Sequence, residues 1–388
     1  MTNGTATPRP TRVDIVLNSL GIGGAERHSL ALADALGARG FGVRVIALSA
    51  TDDLRRQGGT PAATQAVQLA RRGAIDLAAL RAYRRLIQAD APDVTVTVNQ
   101  YPLAFAWLAT LFSKRSPMLQ IMHTIELPHE DSALKRWLYP RLMRVPAAVA
   151  YVCELQRQHW RRAGIQARPD HCVHNGVDVE RFRPQAPEAV AATRLALGLA
   201  NDDLVVGLCA VLRPEKRHDL LLHALALLRQ RGETVHALLI GDGPERERIT
   251  ALTQTIGIAH LVHITGYQQD VVPFIGACDA MCLVSDHEAF SLSILESMAM
   301  AKAVVATRAG GVQEQITDGE TGLLIARDDA PALAAALSRL RDPSIRSALG
   351  QRAMAKARIQ FSADTMFARY AGIVWQLASL PLSAGRAS

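Results

Sequence analysis

The stretch Ser285-Asp286-His287-Glu288-Ala289-Phe290-Ser291-Leu292-Ser293-Ile294-Leu295-Glu296 decides the fold. The short apolar run before it, 280–284, reads as a buried parallel strand, and the amphipathic run 293–301 reads as a helix. Glu288 stands at the strand exit, and Glu296 lies about two helical turns further on. A loop that leaves the C-terminal end of a parallel strand and feeds a helix is where open α/β sheets bind ligands. Free backbone N–H groups of Phe290, Ser291 and Leu292 are expected to point into that crevice. Two carboxylates spaced along a polyol can accept hydrogen bonds from its hydroxyls. On its own, the same pattern also fits a strand-loop-helix with two solvated glutamates.

The neighbours separate these readings. Ala303-Val304-Val305-Ala306-Thr307 is a second buried strand; after it come Gly310-Gly311, Glu314, the turn Asp318-Gly319-Glu320-Thr321-Gly322 and a third strand, 323–326. In this order and spacing the stretch resembles the bacterial retaining glycosyltransferases of family 4, which have the GT-B fold. The family pattern is a glutamate pair, a Pro-Val-Val-type strand, a Gly-Gly loop with a glutamate, and an Asp-Gly-x-Thr-Gly turn. Ala289 departs from it, since the family usually has glycine there. Alanine is strained at that position only if the backbone takes a positive φ.

A chain of 388 residues with 49% hydrophobic and 20% charged residues is a folded protein with room for two domains. The resemblance implies two Rossmann-like α/β/α domains with mostly parallel sheets facing a central cleft. The expected division is a disordered tail at 1–11, an N-terminal acceptor-side domain at 12–183 and a linker at 184–200. A nucleotide-sugar-binding domain follows at 201–364, and a helix at 365–380 is expected to cross back to the first domain. Cys153, Cys172, Cys209, Cys278 and Cys282 show no metal-ligand spacing and read as buried thiols in a reducing compartment; His171-Cys172-x-His174 reads as a loop. No apolar run reaches the roughly 18 residues of a membrane span, and the N-terminus lacks a signal-peptide core, so a cytoplasmic protein is expected.

The net charge of +7 is unevenly placed: residues 1–185 hold 24 Lys+Arg against 15 Asp+Glu, and residues 186–388 hold 19 against 21. The basic half lacks a nucleic-acid recognition motif and has little aromatic interleaving, which argues against nucleic acid. An anionic membrane surface at the inner face, or an anionic acceptor, is the better partner. The segment 134–144 carries Lys135, Arg136, Arg141 and Arg144 beside Trp137, Tyr139, Leu142 and Met143. It fits a membrane-interface element, and equally a buried helix with a solvated basic face.

The first strand, 13–19, runs into Gly21-Ile22-Gly23-Gly24-Ala25-Glu26-Arg27. Glycines at a helix N-terminus let a phosphate approach the backbone, although a tight turn is the plain alternative. A dehydrogenase would need an acid closing the second strand, and here Ser49-Ala50 stands there. The Gly-Gly-Ala-Glu-Arg form resembles the first loop of many family-4 enzymes, which implies donor contacts at Gly23 and Gly24. The strand 118–122 ends at His123, and the resemblance implies that His123 touches the transferred sugar. His174-Asn175-Gly176-Val177-Asp178 resembles the family's turn at the end of the N-terminal domain.

In the second half, strand 204–212 leads to Arg213-Pro214-Glu215-Lys216, and cations at a strand mouth suit a diphosphate. The resemblance implies that role for Lys216. Val211 stands where the family has an arginine, and Arg213 is expected to replace its guanidinium. Further implied donor contacts are Gly241, Tyr267 near the base, the Phe290–Leu292 backbone, and Glu296 on the ribose. Glu288 joins His123, Lys216 and Arg213 as a catalytic candidate. No Asp-x-Asp triplet occurs, so no metal clamp and no cofactor are expected; the substrate is a UDP- or GDP-linked sugar. The implied activity is retaining transfer to a glycan or lipid-linked glycan. The rivals are a nucleotide-sugar 2-epimerase of the same fold and a non-catalytic sugar-nucleotide binding module.

Overall fold

The computed structural model describes residues 9–73, 76–111, 115–124, 140–165 and 169–380. Residues up to Val173, together with those from Phe367 onward, make one compact unit and His174–Met366 the other; the division falls inside helix Ala363–Ala378.

The first unit is built on seven strands: β1 (Arg12–Leu17), β2 (Gly42–Ala47), β3 (Val67–Gln68), β4 (Val94–Val98), β5 (Met118–Met122), β6 (Ala148–Tyr151) and β7 (Asp170–Cys172). All are parallel, in the order β3-β2-β1-β4-β5-β6-β7. The chain therefore winds outward from β1 and returns to its other side at β4, which makes the β1/β4 edge a topological switch point. β4, β5 and β6 are buried along their whole length, as expected of parallel strands covered on both faces. Ile46, Tyr83, Leu103, Met122, Tyr151 and Trp160 belong to one core cluster.

One expectation is corrected in this unit. His171 and Cys172 lie on the edge strand β7 rather than in a loop. In segment 134–144, residues 134–139, with Lys135, Arg136, Trp137 and Tyr139, lie outside the described residues; Leu142 and Met143 are buried while Arg141 and Arg144 are exposed. The apolar side chains of that described part thus belong to the core. Helix Leu77–Ala89, capped by Asp76, buries Ala79 and Tyr83 and exposes Arg81 and Arg85. Near the chain end, the Trp375 ring lies 4.8 Å from that of Phe41.

The second unit has six strands: β8 (Val205–Cys209), β9 (His236–Ile240), β10 (Val262–Ile264), β11 (Ala280–Leu283), β12 (Ala303–Thr307) and β13 (Leu323–Ile325). They are parallel in the order β10-β9-β8-β11-β12-β13, with the switch point between β8 and β11. The stretch 184–200, expected as a linker, holds helix Pro187–Ala196. Gly176 is demanded by packing: Val177 N–H donates to Phe361 O at 2.9 Å, and a Cβ on Gly176 would lie 2.7 Å from Ala363 Cα. Ala289 is not among the described non-glycine residues with positive φ, so alanine is unstrained there. The five cysteines are in no disulfide, and among the described residues no helix is long and apolar enough to cross a membrane.

Candidate functional site

In the second unit the loops after β8, β11 and β12 meet at the switch point. After β8 the chain makes a 3-10 turn, Pro214–Lys216, and enters helix His218–Gln230 through Arg217 at φ +50°. Asp286 N–H donates to Glu215 O at 2.9 Å, which ties this turn to the β11 loop. Arg217 reinforces the tie through ion pairs with Asp219, Asp286 and Asp328. The loop of β12 joins the same frame, since Gly311 N–H donates to Glu288 O at 3.2 Å and Thr307 Oγ1 donates to Ser285 O at 2.6 Å.

This frame brings two of the expected residues together. Lys216 Nζ lies 2.5 Å from Glu288 Oε1, and Ser285 Oγ donates to the same oxygen at 3.0 Å. The side chains are 23% and 12% exposed, so the pair is partly desolvated and still open to a ligand. A carboxylate and an ammonium at this depth keep a charge-assisted hydrogen bond that an exposed pair would lose to water and salt.

The Phe290–Leu292 backbone corrects the expectation of three free amides. Ser291 N–H donates to Gln315 Oε1 at 3.0 Å, and Gln315 Nε2 donates back to Ser291 O at 2.7 Å, both buried. Ser291 is instead the N-cap of helix Leu292–Ala299, its Oγ accepting from Ile294 N–H. Asn175 Nδ2 donates to Phe290 O at 2.9 Å, while the His174 ring stacks on Phe290 at 4.9 Å and bonds Glu314 at 3.1 Å. The loop is thus braced by side chains from outside it. Sequence reasoning missed Gln315, Ser285 and Arg217, and took Asn175 as part of a turn; the signal available was only Gln315 following Glu314.

The other expected positions separate. Arg213 is exposed, its nearest carboxylate being Glu215 at 4.0 Å, and its side chain lines a shallow pocket with His218, Asp219, Glu245 and Arg248. Gly241 sits at φ +147°, where an added Cβ would fall 2.1 Å from Ala210 O. Its lack of a side chain lets the β9 turn support the β8 loop, with Leu212 N–H donating to Asp242 O at 3.0 Å. Tyr267 is 37% exposed, and Glu296 is half-buried on helix Leu292–Ala299.

In the first unit, Gly23 is the N-cap of helix Gly24–Ala38 and makes no side-chain cap. Glu26, three residues in, folds back over it: a Cβ on Gly23 would meet Glu26 Oε2 at 2.3 Å. A carboxylate in this capping-box position occupies the helix end at which a phosphate was expected. His123 follows β5, its N–H donating to Asn99 Oδ1 at 2.9 Å; Asn99 itself is held at φ +63°. The His28 ring lies 4.6 Å from His123 and 5.6 Å from Tyr370. Both His28 nitrogens, His123 Nε2 and Tyr370 Oη are buried without a hydrogen-bond partner among the described residues. Burial pushes His123 down to about 4 and His28 well below the ordinary histidine value, so both rings are neutral.

Two parallel sheets, each reversing its strand order beside its first strand, define a GT-B glycosyltransferase fold. A crystal structure of Anabaena Alr3699/HepE in complex with UDP has the same fold, with a TM-score of 0.83 over 94% of this chain and 100% of that chain at 22% identity. The chain belongs to the family-4 glycosyltransferases: residues 22–181 match the family described as Glycosyltransferase Family 4, and residues 203–342 match Glycosyl transferases group 1. It is 34% identical over 182 residues to the lipopolysaccharide core biosynthesis glycosyltransferase LpsE of Rhizobium meliloti, covering 47% of this chain and 52% of the relative. It is 32% identical over 213 residues to the GDP-mannose-dependent alpha-(1-6)-phosphatidylinositol monomannoside mannosyltransferase of Mycolicibacterium smegmatis, covering 52% of this chain and 55% of the relative. The chain spans about half the length of the curated relatives it matches.

Proposed function

We propose that this chain transfers a glycosyl group from a nucleotide-diphosphate sugar to a hydroxyl of a glycan or lipid-linked glycan, with retention of configuration and without a metal ion. The observation that carries the reading is the Lys216–Glu288 pair at the β8/β11 switch point. A donor diphosphate entering there takes Lys216 as its counter-charge. Glu288, still held by Ser285, is then released to accept a hydrogen bond from a sugar hydroxyl. Charge grows on the diphosphate as the glycosidic bond breaks, so a preplaced ammonium stabilises the transition state more than the ground state. Glu296 accepts from the ribose hydroxyls, and neutral His123 donates to or accepts from the transferred sugar. Relatives named for lipopolysaccharide core synthesis and for a phosphatidylinositol mannoside support a glycan or lipid-linked acceptor. A neighbour holding UDP and a relative named for GDP-mannose support either base.

The test is a panel of UDP- and GDP-sugars, each incubated with glycan and lipid-linked acceptors. Nucleoside diphosphate release that depends on acceptor, with the donor's anomeric configuration kept in the product, is the expected result. Release without acceptor together with a 2-epimeric sugar makes the protein an epimerase. Binding without turnover in every pairing makes it a binding module.

A further inference from the structure

A cavity of about 630 Å³ opens in the second unit where β8, β11 and β12 begin, at the strand ends opposite to those that carry Lys216 and Glu288. Its wall holds three cations. The Arg194 side chain is 6% exposed and donates to Asp279 Oδ2 at 2.7 Å and to Ala277 O at 2.9 Å. Lys302 Nζ donates to Gly276 O at 2.8 Å and to Cys278 O at 2.6 Å. Arg346 Nη2 lies 3.9 Å from Asp279 Oδ1, beyond hydrogen-bonding distance.

Asp279 is the one carboxylate on this wall, and it is already shared between Arg194 and the Val205 N–H at 2.8 Å. Among the described residues Lys302 meets carbonyls and no carboxylate at ion-pair distance. Carbonyl dipoles hold a cation in place without cancelling its charge. Three cations against one carboxylate leave the lining side chains with a net charge of +2, and burial works against the charged form of Lys302. The ammonium retains a third donor; Arg346 Nη1 is held by Leu340 O at 2.6 Å and Arg341 O at 2.9 Å, while its Nη2 makes no hydrogen bond to Asp279. Pro187 and Val190, on the helix Pro187–Ala196 that also carries Arg194, add apolar lining.

We propose that this cavity binds a phosphorylated small molecule, with its phosphate between Lys302 and Arg346 and its body against Pro187 and Val190. The volume falls within the range of small-molecule sites. A dianion would supply the two missing charges beside half-buried cations, where they count for more than at an open surface.

The probe is inorganic phosphate, titrated into the full chain while the unfolding midpoint is followed, with sodium chloride at equal ionic strength as reference. The expected result is a saturable rise in wild type that persists in Lys216→Ala, whose donor-side cation is gone. Arg346→Gln should weaken it at least tenfold. So should Ser347→Glu, an exposed position on the cavity rim, whereas Ser347→Ala should leave it intact. A rise no larger than that with chloride overturns the proposal. So does a saturable rise that survives both Arg346→Gln and Ser347→Glu, or one that Lys216→Ala abolishes, since phosphate is then reading the donor side.

Discussion

Lys216 and Glu288 are both half of a pair and half of a proposed substrate site, and the two roles make different predictions. If the pair were only a structural staple, Lys216→Ala would leave Glu288 with Ser285 and cost stability alone. As the counter-charge to a departing diphosphate, Lys216 should cost about 10²-fold or more in kcat when replaced by alanine, with a smaller change in donor affinity. Single-turnover kinetics beside donor titration calorimetry separates the two. Arg213 provides the contrast. Exposed and lying nearest Glu215, it must swing to reach a diphosphate, so Arg213→Ala is expected to keep near-wild-type kcat. A loss equal to that of Lys216→Ala would show that it does swing, in place of the arginine that Val211 lacks. Glu296→Ala should raise donor KM, because a hydrogen bond to a charged group contributes roughly 1.5–3 kcal/mol; unchanged donor affinity in calorimetry would remove it from the site.

At the scale of elements, the Phe290–Ser291 loop is a rigid piece because outside side chains satisfy its backbone. Gln315→Ala leaves the buried Ser291 N–H unpaired, at about 1–3 kcal/mol, while Ser291 O keeps Leu295 N–H at 3.4 Å. The expected outcome is a lower urea midpoint and a raised donor KM together, whereas a fall in stability with unchanged KM would detach the loop from donor binding. Asn175→Ala removes the side-chain partner of Phe290 O and should act in the same direction. These braces also mark the limit of what the sequence reveals. Glu288 and Lys216 were legible because each stands at a strand mouth within an ordered motif. The bond from Asn175 to Phe290 joins residues 115 apart, and nothing local announces it. Helix Pro187–Ala196 was hidden by its own start signal: Pro184 and Pro187 suggest a linker, yet Pro187 opens the helix, where proline's missing N–H costs nothing. β3 and β7 have two and three residues, too few for any period to show.

Across the whole molecule the basic composition hides three histidines that are not basic at all. His28 and His123 in the first unit and His218 in the second are kept neutral by burial, with His123 and His218 each lowered to about 4 and His28 lowered well below the ordinary 6.5. The unfolded chain takes up these protons near 6.5, while the folded chain refuses them until far lower pH. Stability is therefore complete above the unfolded value and declines as pH falls from about 6.5 toward 4. In that window each such histidine contributes a slope of up to about 1.4 kcal/mol per pH unit. The same burial shifts Asp14 the opposite way, raising its pKa against the pull of Arg44, so Asp14 opposes the trend by favouring the protonated fold at low pH. The histidines outnumber it, and their window opens first. Urea midpoints measured from pH 7.5 to 4.5 should fall from about 6.5 downward, and His28→Leu, which removes one neutral imidazole, should make that fall shallower. A midpoint flat down to pH 5 would mean that the folded chain accepts these protons. In that case His123 would meet a sugar as a cation, and its proposed role as a neutral partner would fail with it.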